Sequence, residues 1–179
     1  ITIGFALMSG ISYVTHFAAL SGRSLRPYRR DGEVPFYLGV LGTSVLLVAT
    51  YLWQQDYYAE FATALRHAAF NTVSVATTLG YASTDYSKWP FFAPLWMLFL
   101  CSFVTSAGST GGGIKMMRAL IVFRQVMREV VHTVHPNAVL PVKLSGAPLP
   151  NKIVFAVLAF CFAYMVIIVS LTLLMVFAG

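Results

Sequence analysis

The feature that most constrains this sequence is a glycine-rich stretch within an otherwise apolar region. Residues 101–118 read CSFVTSAGSTGGGIKMMR, between an apolar run (residues 89–104) and a helix-compatible run (residues 116–134). Each glycine inside a helix costs about 1 kcal/mol relative to alanine, so this stretch predicts a non-helical loop. Its neighbours are too apolar for a surface loop. We therefore expect a loop at membrane depth, where protein or a water-filled path must satisfy the backbone.

Composition places the chain in a lipid bilayer. Of its 179 residues, 58% are hydrophobic and 10% are charged, whereas globular chains average about 25% charged residues. The net charge of +6 comes from basic residues between the apolar runs, not from one basic patch. This distribution is typical of multi-pass membrane topology and not of a nucleic-acid partner. The apolar ends of the sequence predict a piece of a longer membrane protein.

The apolar runs divide the chain into membrane segments and linkers. A span needs about 20 apolar residues, and three runs approach or exceed that length, residues 1–20, 36–53 and 152–177. A more polar helix-compatible run, residues 60–76, ends in Thr-Thr-Leu-Gly-Tyr at residues 77–81. We interpret this unit as a re-entrant helix with an extended tail.

Lysine and arginine counts orient the chain. Residues 21–34 hold four and residues 115–152 hold six, whereas residues 54–90 hold two. The positive-inside rule places the first two segments in the cytoplasm, so the re-entrant helix enters the membrane from outside. Its carbonyl end then points inward and favours a cation, and an extended strand can offer carbonyls in place of water. Gly80 permits the backbone conformation that such a strand requires.

Two motifs carry a family resemblance. AAFNTVSVATTLGYASTDYSKWP (residues 68–90) and AGSTGGGIKMMR (residues 107–118) resemble the third pore repeat of the Trk/Ktr/HKT potassium transporters. The bacterial Trk-type potassium uptake membrane subunit is the most similar branch. HPNAVLPVKLSGAPLP (residues 135–150) and the following helix are also similar, so the likeness covers nearly the whole chain.

The resemblance implies an all-α integral membrane fold with membrane–pore-loop–membrane repeats around one potassium pathway. Residues 1–20 would end the second repeat, and residues 36–134 would form the third, with residues 89–134 as its broken span. Residues 152–179 would be the first helix of the fourth repeat. Residues 21–35 and 135–151 would be cytoplasmic linkers. This fragment alone could not close a pore, because the other filter strands are absent.

The resemblance also implies the site residues. The filter would be formed by the backbone carbonyls of Thr77, Thr78, Leu79, Gly80 and Tyr81, with potassium bound at Thr78 and Leu79 in particular. The gate would be the intramembrane loop of Gly108, Ser109, Thr110, Gly111, Gly112 and Gly113. Family members often have a small polar residue where Leu79 stands, a change that a backbone ligand tolerates. Lys115 and Arg118 are candidate gate or regulatory residues, or ordinary cytoplasmic anchors.

Further expectations follow from the same likeness. The parent protein would take up potassium across a bacterial inner membrane, as a homodimer with a cytoplasmic nucleotide-binding regulatory subunit. Potassium is the transported ligand, and we expect no covalent cofactor and no enzymatic activity.

Two other functional classes stay open from the residues alone. One is an intramembrane serine hydrolase with Ser109 as nucleophile and His132 or His135 as base, although Ala107 stands where the usual elbow motif has glycine. The other is a structural membrane subunit without a permeation path. The glycine stretch does not match a phosphate loop, because Ile114 separates the last glycine from Lys115. His67 and Asn71 are expected to satisfy backbone groups or water around the filter.

Overall fold

The fold is helical throughout most of the described chain. The computed structural model describes residues 1–135, 143–144 and 147–178. Its elements are α1 (Thr2–Ser9), α2 (Tyr13–Ser21), α3 (Arg26–Arg30), α4 (Glu33–Gln54), α5 (Phe61–Ala76), a 3₁₀ turn (Tyr86–Lys88), α6 (Phe92–Phe103), α7 (Met116–Val134), β1 (Lys143–Leu144), β2 (Ala147–Pro148) and α8 (Asn151–Ala178). The two short strands pair in antiparallel fashion. The predicted all-α fold is confirmed at this level.

Two of the described helices are long and apolar enough to cross a membrane, α4 with 22 residues and α8 with 28. The pair α1 and α2 would make a third span if it is counted as one bent segment. Helix α6 is apolar but has only 12 residues. Between α6 and α7 lies a non-helical segment, residues 104–115, which we call the glycine loop.

Residues 1–20 differ from the single helix that their uniform apolarity suggests. They form α1 and α2, which meet at an angle of 100°. A Cβ on Gly10 would lie 2.2 Å from the Tyr37 hydroxyl oxygen of α4, so only glycine fits at the break. That hydroxyl donates to the Leu7 carbonyl at 3.2 Å. The break therefore depends on a partner that is distant in sequence.

Residues 21–35 are not wholly a linker, because they contain α3 and the start of α4. Glu33 lies in the first turn of α4, where the helix dipole favours a carboxylate. Pro35 is tolerated there because the first amides of a helix have no partner within it. Helix α4 therefore begins before the expected residue 36.

Helix α5 packs against α4 and α6 through small side chains. Val48 and Leu52 of α4, Ala68 of α5, and Ala93 and Met97 of α6 form one buried cluster. Alanines at such contacts let helix backbones approach closely, which is how membrane helices gain packing energy. The relatively polar α5 is thereby held beside two apolar helices.

The chain forms two compact units, Ile1–Met116 and Met117–Gly179. In the second unit Ile121 of α7 and Val154 of α8 are buried together. Arg128 donates to the Asn151 side-chain oxygen at 3.1 Å. Of the predicted linker 135–151, residues 136–142 and 145–146 lie outside the described residues, as does residue 179 of the last helix.

Candidate functional site

Helix α5 ends in a motif that is usually built on glycine. The Leu79 amide donates to the Ser74 carbonyl at 2.8 Å, and the Thr78 amide donates to the Val75 carbonyl at 3.0 Å. This pair of bonds is the Schellman arrangement, which places the residue after the cap in the left-handed region. Thr78 occupies that position with φ +58°. A β-branched residue is disfavoured there, so its side chain needs a compensating role.

The segment that follows is irregular, and its carbonyls accept no hydrogen bond from the described residues. Residues 79–82 have no regular secondary structure, and Gly80 has φ +82°. Within the part of the chain that the structure describes, no hydrogen bond is accepted by the carbonyl oxygens of residues 77–81. Thr77 is buried, whereas Tyr81 is 62% exposed.

A fully buried amide side chain holds the returning segment against α5. Asn71 is 0% exposed. Its oxygen accepts from the Ser83 amide at 2.9 Å, and its nitrogen donates to the Thr84 hydroxyl at 3.1 Å. His67 Nδ1 lies 3.1 Å from the Ser83 hydroxyl. As expected from their spacing, His67 and Asn71 satisfy polar groups next to residues 77–81.

An acidic residue follows on the exposed side of this segment. The hydroxyl and the amide of Ser87 both donate to the Asp85 carboxylate. These bonds lower the pKa of Asp85 from its ordinary value, with a smaller contribution from Lys88, whose ammonium lies 3.5 Å away. Asp85 therefore carries a negative charge at neutral pH.

The glycines of the glycine loop differ in whether a larger side chain could replace them. Gly113 has φ +86°, and a Cβ there would lie 2.7 Å from the carbonyl oxygens of Cys101 and Ser102. A Cβ on Gly111 would lie 2.2 Å from the Thr105 methyl group. At Gly112 the nearest atom would be 3.7 Å away. Steric requirements thus fall on Gly111 and Gly113 but not on Gly112.

The C-terminal half of the glycine loop is bonded to the end of α6. The Ile114 amide donates to the Ser102 carbonyl at 2.8 Å, and the Met116 amide donates to the Thr105 carbonyl at 2.9 Å. The Thr105 hydroxyl donates to the Gly112 carbonyl at 3.1 Å. These bonds satisfy backbone groups that have no helical partner, as a non-helical segment away from water requires.

The N-terminal half of the loop is bonded to the break between α1 and α2. The Ser106 amide donates to the Gly10 carbonyl at 3.0 Å, and the Tyr13 amide donates to the Gly108 carbonyl at 3.1 Å. The Thr110 hydroxyl donates to the Ser9 carbonyl at 3.1 Å. The break between α1 and α2 and the glycine loop therefore supply hydrogen-bond partners for each other, although they lie near opposite ends of the first unit in sequence.

The loop also contacts the start of the segment Thr-Thr-Leu-Gly-Tyr at residues 77–81. The Gly112 amide donates to the Thr78 hydroxyl at 3.1 Å. This hydrogen bond offsets part of the cost of the left-handed backbone conformation of Thr78. The structure thus brings together two sets of predicted site residues, one from residues 77–81 and one from residues 108–113.

Comparison with known proteins identifies the family. Residues 1–176 match the family model described as TrkH: Cation transport protein. The chain belongs to the TrkH family. The predicted resemblance to the Trk-type branch is thereby confirmed, and this family consists of transporters and not of enzymes.

TrkH relatives are similar over most of this chain. It is 45% identical over 170 residues to the Trk system potassium uptake protein TrkH of Salmonella typhimurium, and 44% identical over 170 residues to that of Escherichia coli K12. Each alignment covers 93% of this chain and 35% of the relative. The chain therefore spans about a third of the length of these relatives.

A solved TrkH structure has the same arrangement of helices. The crystal structure of the potassium transporter TrkH from Vibrio parahaemolyticus matches with a TM-score of 0.88 at 35% identity. The match covers 94% of this chain and 36% of that chain.

Ser109 is not arranged as a nucleophile. Its hydroxyl donates to the Ser106 carbonyl at 2.7 Å, and its side chain is buried. Its own carbonyl accepts from the Lys115 ammonium at 2.8 Å. A nucleophilic serine would instead donate to a general base. Together with membership of the TrkH family, this geometry disfavours the serine hydrolase alternative.

The two candidate regulatory residues, Lys115 and Arg118, lie in different units of the chain. Lys115 has φ +70° and restrains the glycine loop through its bond to Ser109. Arg118 belongs to the second unit, where its guanidinium lies 4.2 Å from the centre of the Phe160 ring. Among the described residues, no three His, Cys, Asp or Glu side chains cluster in a way that could hold a metal ion.

Sequence reasoning missed Glu33. It falls within the predicted linker of residues 21–35, but its Oε2 accepts from the Ala107 amide at 3.1 Å and the residue is 7% exposed. The only sequence signal for this contact is an acidic residue at the start of an apolar run. That signal is weak, because charged residues also flank ordinary membrane spans.

Proposed function

We propose that this chain carries the third of four pore repeats in a potassium uptake transporter of a bacterial inner membrane. In this proposal, residues 77–81 form one strand of the selectivity filter, and backbone carbonyls, chiefly those of Thr78 and Leu79, ligate potassium. The names of the TrkH relatives support the transported ion. The observation that carries the filter assignment is the run of five carbonyls that accept no hydrogen bond among the described residues.

Physical chemistry explains why such a strand suits a cation. A potassium ion enters the filter only if oxygen ligands replace its water shell, and unpaired carbonyls supply them. Helix α5 ends at Ala76, directly before these carbonyls. The C-terminal end of a helix carries about half a negative charge, which further stabilises a cation there. Leu79 is compatible with this role, because its carbonyl is the same as that of any other residue.

Residues 108–113 form the gate in this proposal. Support comes from the hydrogen bond between Gly112 and Thr78, which puts the glycine loop against the filter strand. Permeation then requires the loop to leave this position. Helices α6 and α7 are the two halves of one broken span, and α5 is the re-entrant helix of the same repeat. The second repeat ends in α1 and α2, and α8 begins the fourth.

The partners of the parent protein complete the proposal. Three further filter strands, from the parts of the parent outside this chain, surround the same potassium pathway. A second copy of the parent and a cytoplasmic nucleotide-binding subunit make up the regulated assembly. The arginine- and lysine-rich segments at residues 21–34 and 115–152 face the cytoplasm.

The test uses the complete parent gene in a bacterium that cannot take up potassium. Initial rates of rubidium uptake are compared for the wild type, Gly80→Ser and a deletion of residues 111–113. Gly42→Ser is the matched control, because Gly42 also has open space around it but lacks the positive φ of Gly80. Membrane abundance is measured for each variant by a fluorescent fusion.

We expect Gly80→Ser to lose rubidium uptake, because serine resists the left-handed conformation and distorts the carbonyl positions. The deletion should raise uptake per transporter and weaken its regulation, while Gly42→Ser behaves as the wild type. Equal growth and uptake for all variants at limiting potassium would overturn the ion-pathway proposal. That result would favour a structural subunit in which the glycines are hinges.

A further inference from the structure

A buried carboxylate holds the N-terminal half of the glycine loop. Glu33 lies in the first turn of α4, and its Oε2 accepts the Ala107 amide at 3.1 Å. The other end of the loop is held by the carbonyls of Ser102 and Thr105, whereas the Ser106 and Ala107 amides at this end bond to the Gly10 carbonyl and to Glu33. The position of this end therefore depends on groups contributed by other helices.

Glu33 is itself fixed by a closed ring of hydrogen bonds. Asp31 accepts the Thr15 hydroxyl of α2 with one oxygen and the Glu33 amide with the other. The ring closes on the loop, because the residue after Ala107 accepts the Tyr13 amide of α2 at 3.1 Å. Helix α2, the start of α4 and the glycine loop are thus joined through two neighbouring carboxylates.

The Glu33 side chain is buried at the start of α4. Its second oxygen, Oε1, is buried beside the Ser106 hydroxyl, which is also buried. Because a buried carboxyl group costs free energy even when it is hydrogen-bonded, its presence here calls for an explanation other than stability. The Ala107 amide satisfies the other oxygen, Oε2, at 3.1 Å, so the loop supplies one of the hydrogen bonds that this buried carboxyl group needs.

We propose that Glu33 is the positioning residue of the gate. Its carboxylate holds the Ala107 end of the glycine loop against α2 and α4, and this keeps Gly112 at the filter strand. Release of the Ala107 amide frees the loop to leave the pathway. This inference rests on the proposed function of residues 108–113 as the gate.

The test uses the complete transporter in the uptake-deficient bacterium, with rubidium uptake measured across a range of rubidium concentrations. Glu33→Ala removes the acceptor, whereas Glu33→Gln keeps an oxygen that can accept the Ala107 amide. Glu60→Ala is the matched control, because Glu60 precedes α5 but makes no side-chain capping bond. Uptake is expressed per transporter in the membrane.

For Glu33→Ala we expect the maximal uptake rate to rise about two- to tenfold, the range associated with the net loss of one hydrogen bond. The apparent KM for rubidium should stay unchanged, because the filter strand is intact. Glu33→Gln and Glu60→Ala should resemble the wild type. A purely structural role would lower transporter abundance without raising the rate per transporter, and Gln would not restore regulation.

Three outcomes would overturn the inference. Unchanged uptake in Glu33→Ala, alongside increased uptake in the deletion of residues 111–113, would leave the gate in place but remove Glu33 from it. Equal increases in Glu33→Ala and Glu33→Gln would mean that charge, and not the hydrogen bond, matters. If neither Glu33→Ala nor the deletion raised uptake, the proposed gate would fail together with the role of Glu33.

Discussion

The Thr78 hydroxyl accepts a hydrogen bond from the Gly112 amide at 3.1 Å. This bond joins the residues just after α5 to the C-terminal half of the glycine loop, 34 residues further along the chain. Thr78 adopts an unfavourable backbone conformation while making it. Because the two segments are directly bonded, a displacement of either one must break the contact or move the other.

Thr78→Val should weaken control of the loop. Valine keeps the β-branched shape but cannot accept the Gly112 amide, a net loss of about 0.5–1.5 kcal/mol. We expect rubidium uptake per transporter to rise about two- to tenfold. Thr78→Ser keeps the hydroxyl and should behave as the wild type. If serine alone altered uptake, backbone strain and not the hydrogen bond would be the cause.

Gly113→Ala and Gly112→Ala should differ sharply in stability. The new methyl group at residue 113 meets two carbonyl oxygens at 2.7 Å in a left-handed conformation, which we expect to cost about 2–4 kcal/mol in total. At residue 112 the nearest atom is 3.7 Å away, so the change should stay within about 0.5 kcal/mol. Thermal unfolding of the purified full-length transporter measures both. Equal unfolding temperatures would contradict the steric argument.

Asn71→Ala should loosen the segment that follows the filter strand. It removes a fully buried side chain and its two hydrogen bonds to Ser83 and Thr84, at a cost of about 1–3 kcal/mol if each bond contributes about 0.5–1.5 kcal/mol. We expect a lower unfolding temperature and reduced preference for rubidium over sodium. Ser83→Ala removes only the contact with His67 and keeps the amide, so it should have little effect. A larger fall in unfolding temperature for Ser83→Ala than for Asn71→Ala would contradict this prediction.

Lys115 combines a strained backbone with a bond to the Ser109 carbonyl, and two variants separate these features. Lys115→Met keeps the strain and loses the bond, whereas Lys115→Gly loses both. If the bond restrains the loop, both variants should raise rubidium uptake per transporter to a similar extent. Lys115→Arg should retain regulation. Uptake equal to the wild type in Lys115→Met would reduce this residue to a surface anchor.

Features that depend only on neighbouring residues were predictable from local sequence patterns. A helix was expected at residues 60–76 from its composition and following glycine, and α5 occupies Phe61–Ala76. A non-helical loop was expected at residues 108–113 because glycines disfavour a helix wherever they occur, and the non-helical segment covers residues 104–115. These features depend on neighbouring residues, so the sequence contains the information directly.

Features that depend on distant partners were not predictable in the same way. The bend between α1 and α2 lies in a uniformly apolar run, and it is stabilised by Tyr37 and by the glycine loop. Glu33 had the appearance of a flanking charge until its contact with Ala107 was seen. The Thr78 side chain likewise has a role only once Gly112 is beside it.

The hydrogen bonds between the α1–α2 break and the glycine loop have a consequence for biosynthesis. The Ser9 carbonyl is paired with Thr110, which the ribosome adds 101 residues later. At about 5–20 residues per second, this delay lasts about 5–20 s. During that time the exposed backbone around Gly10 must remain with water or the insertion machinery. The first bent segment therefore reaches its final shape only after α6 has been made.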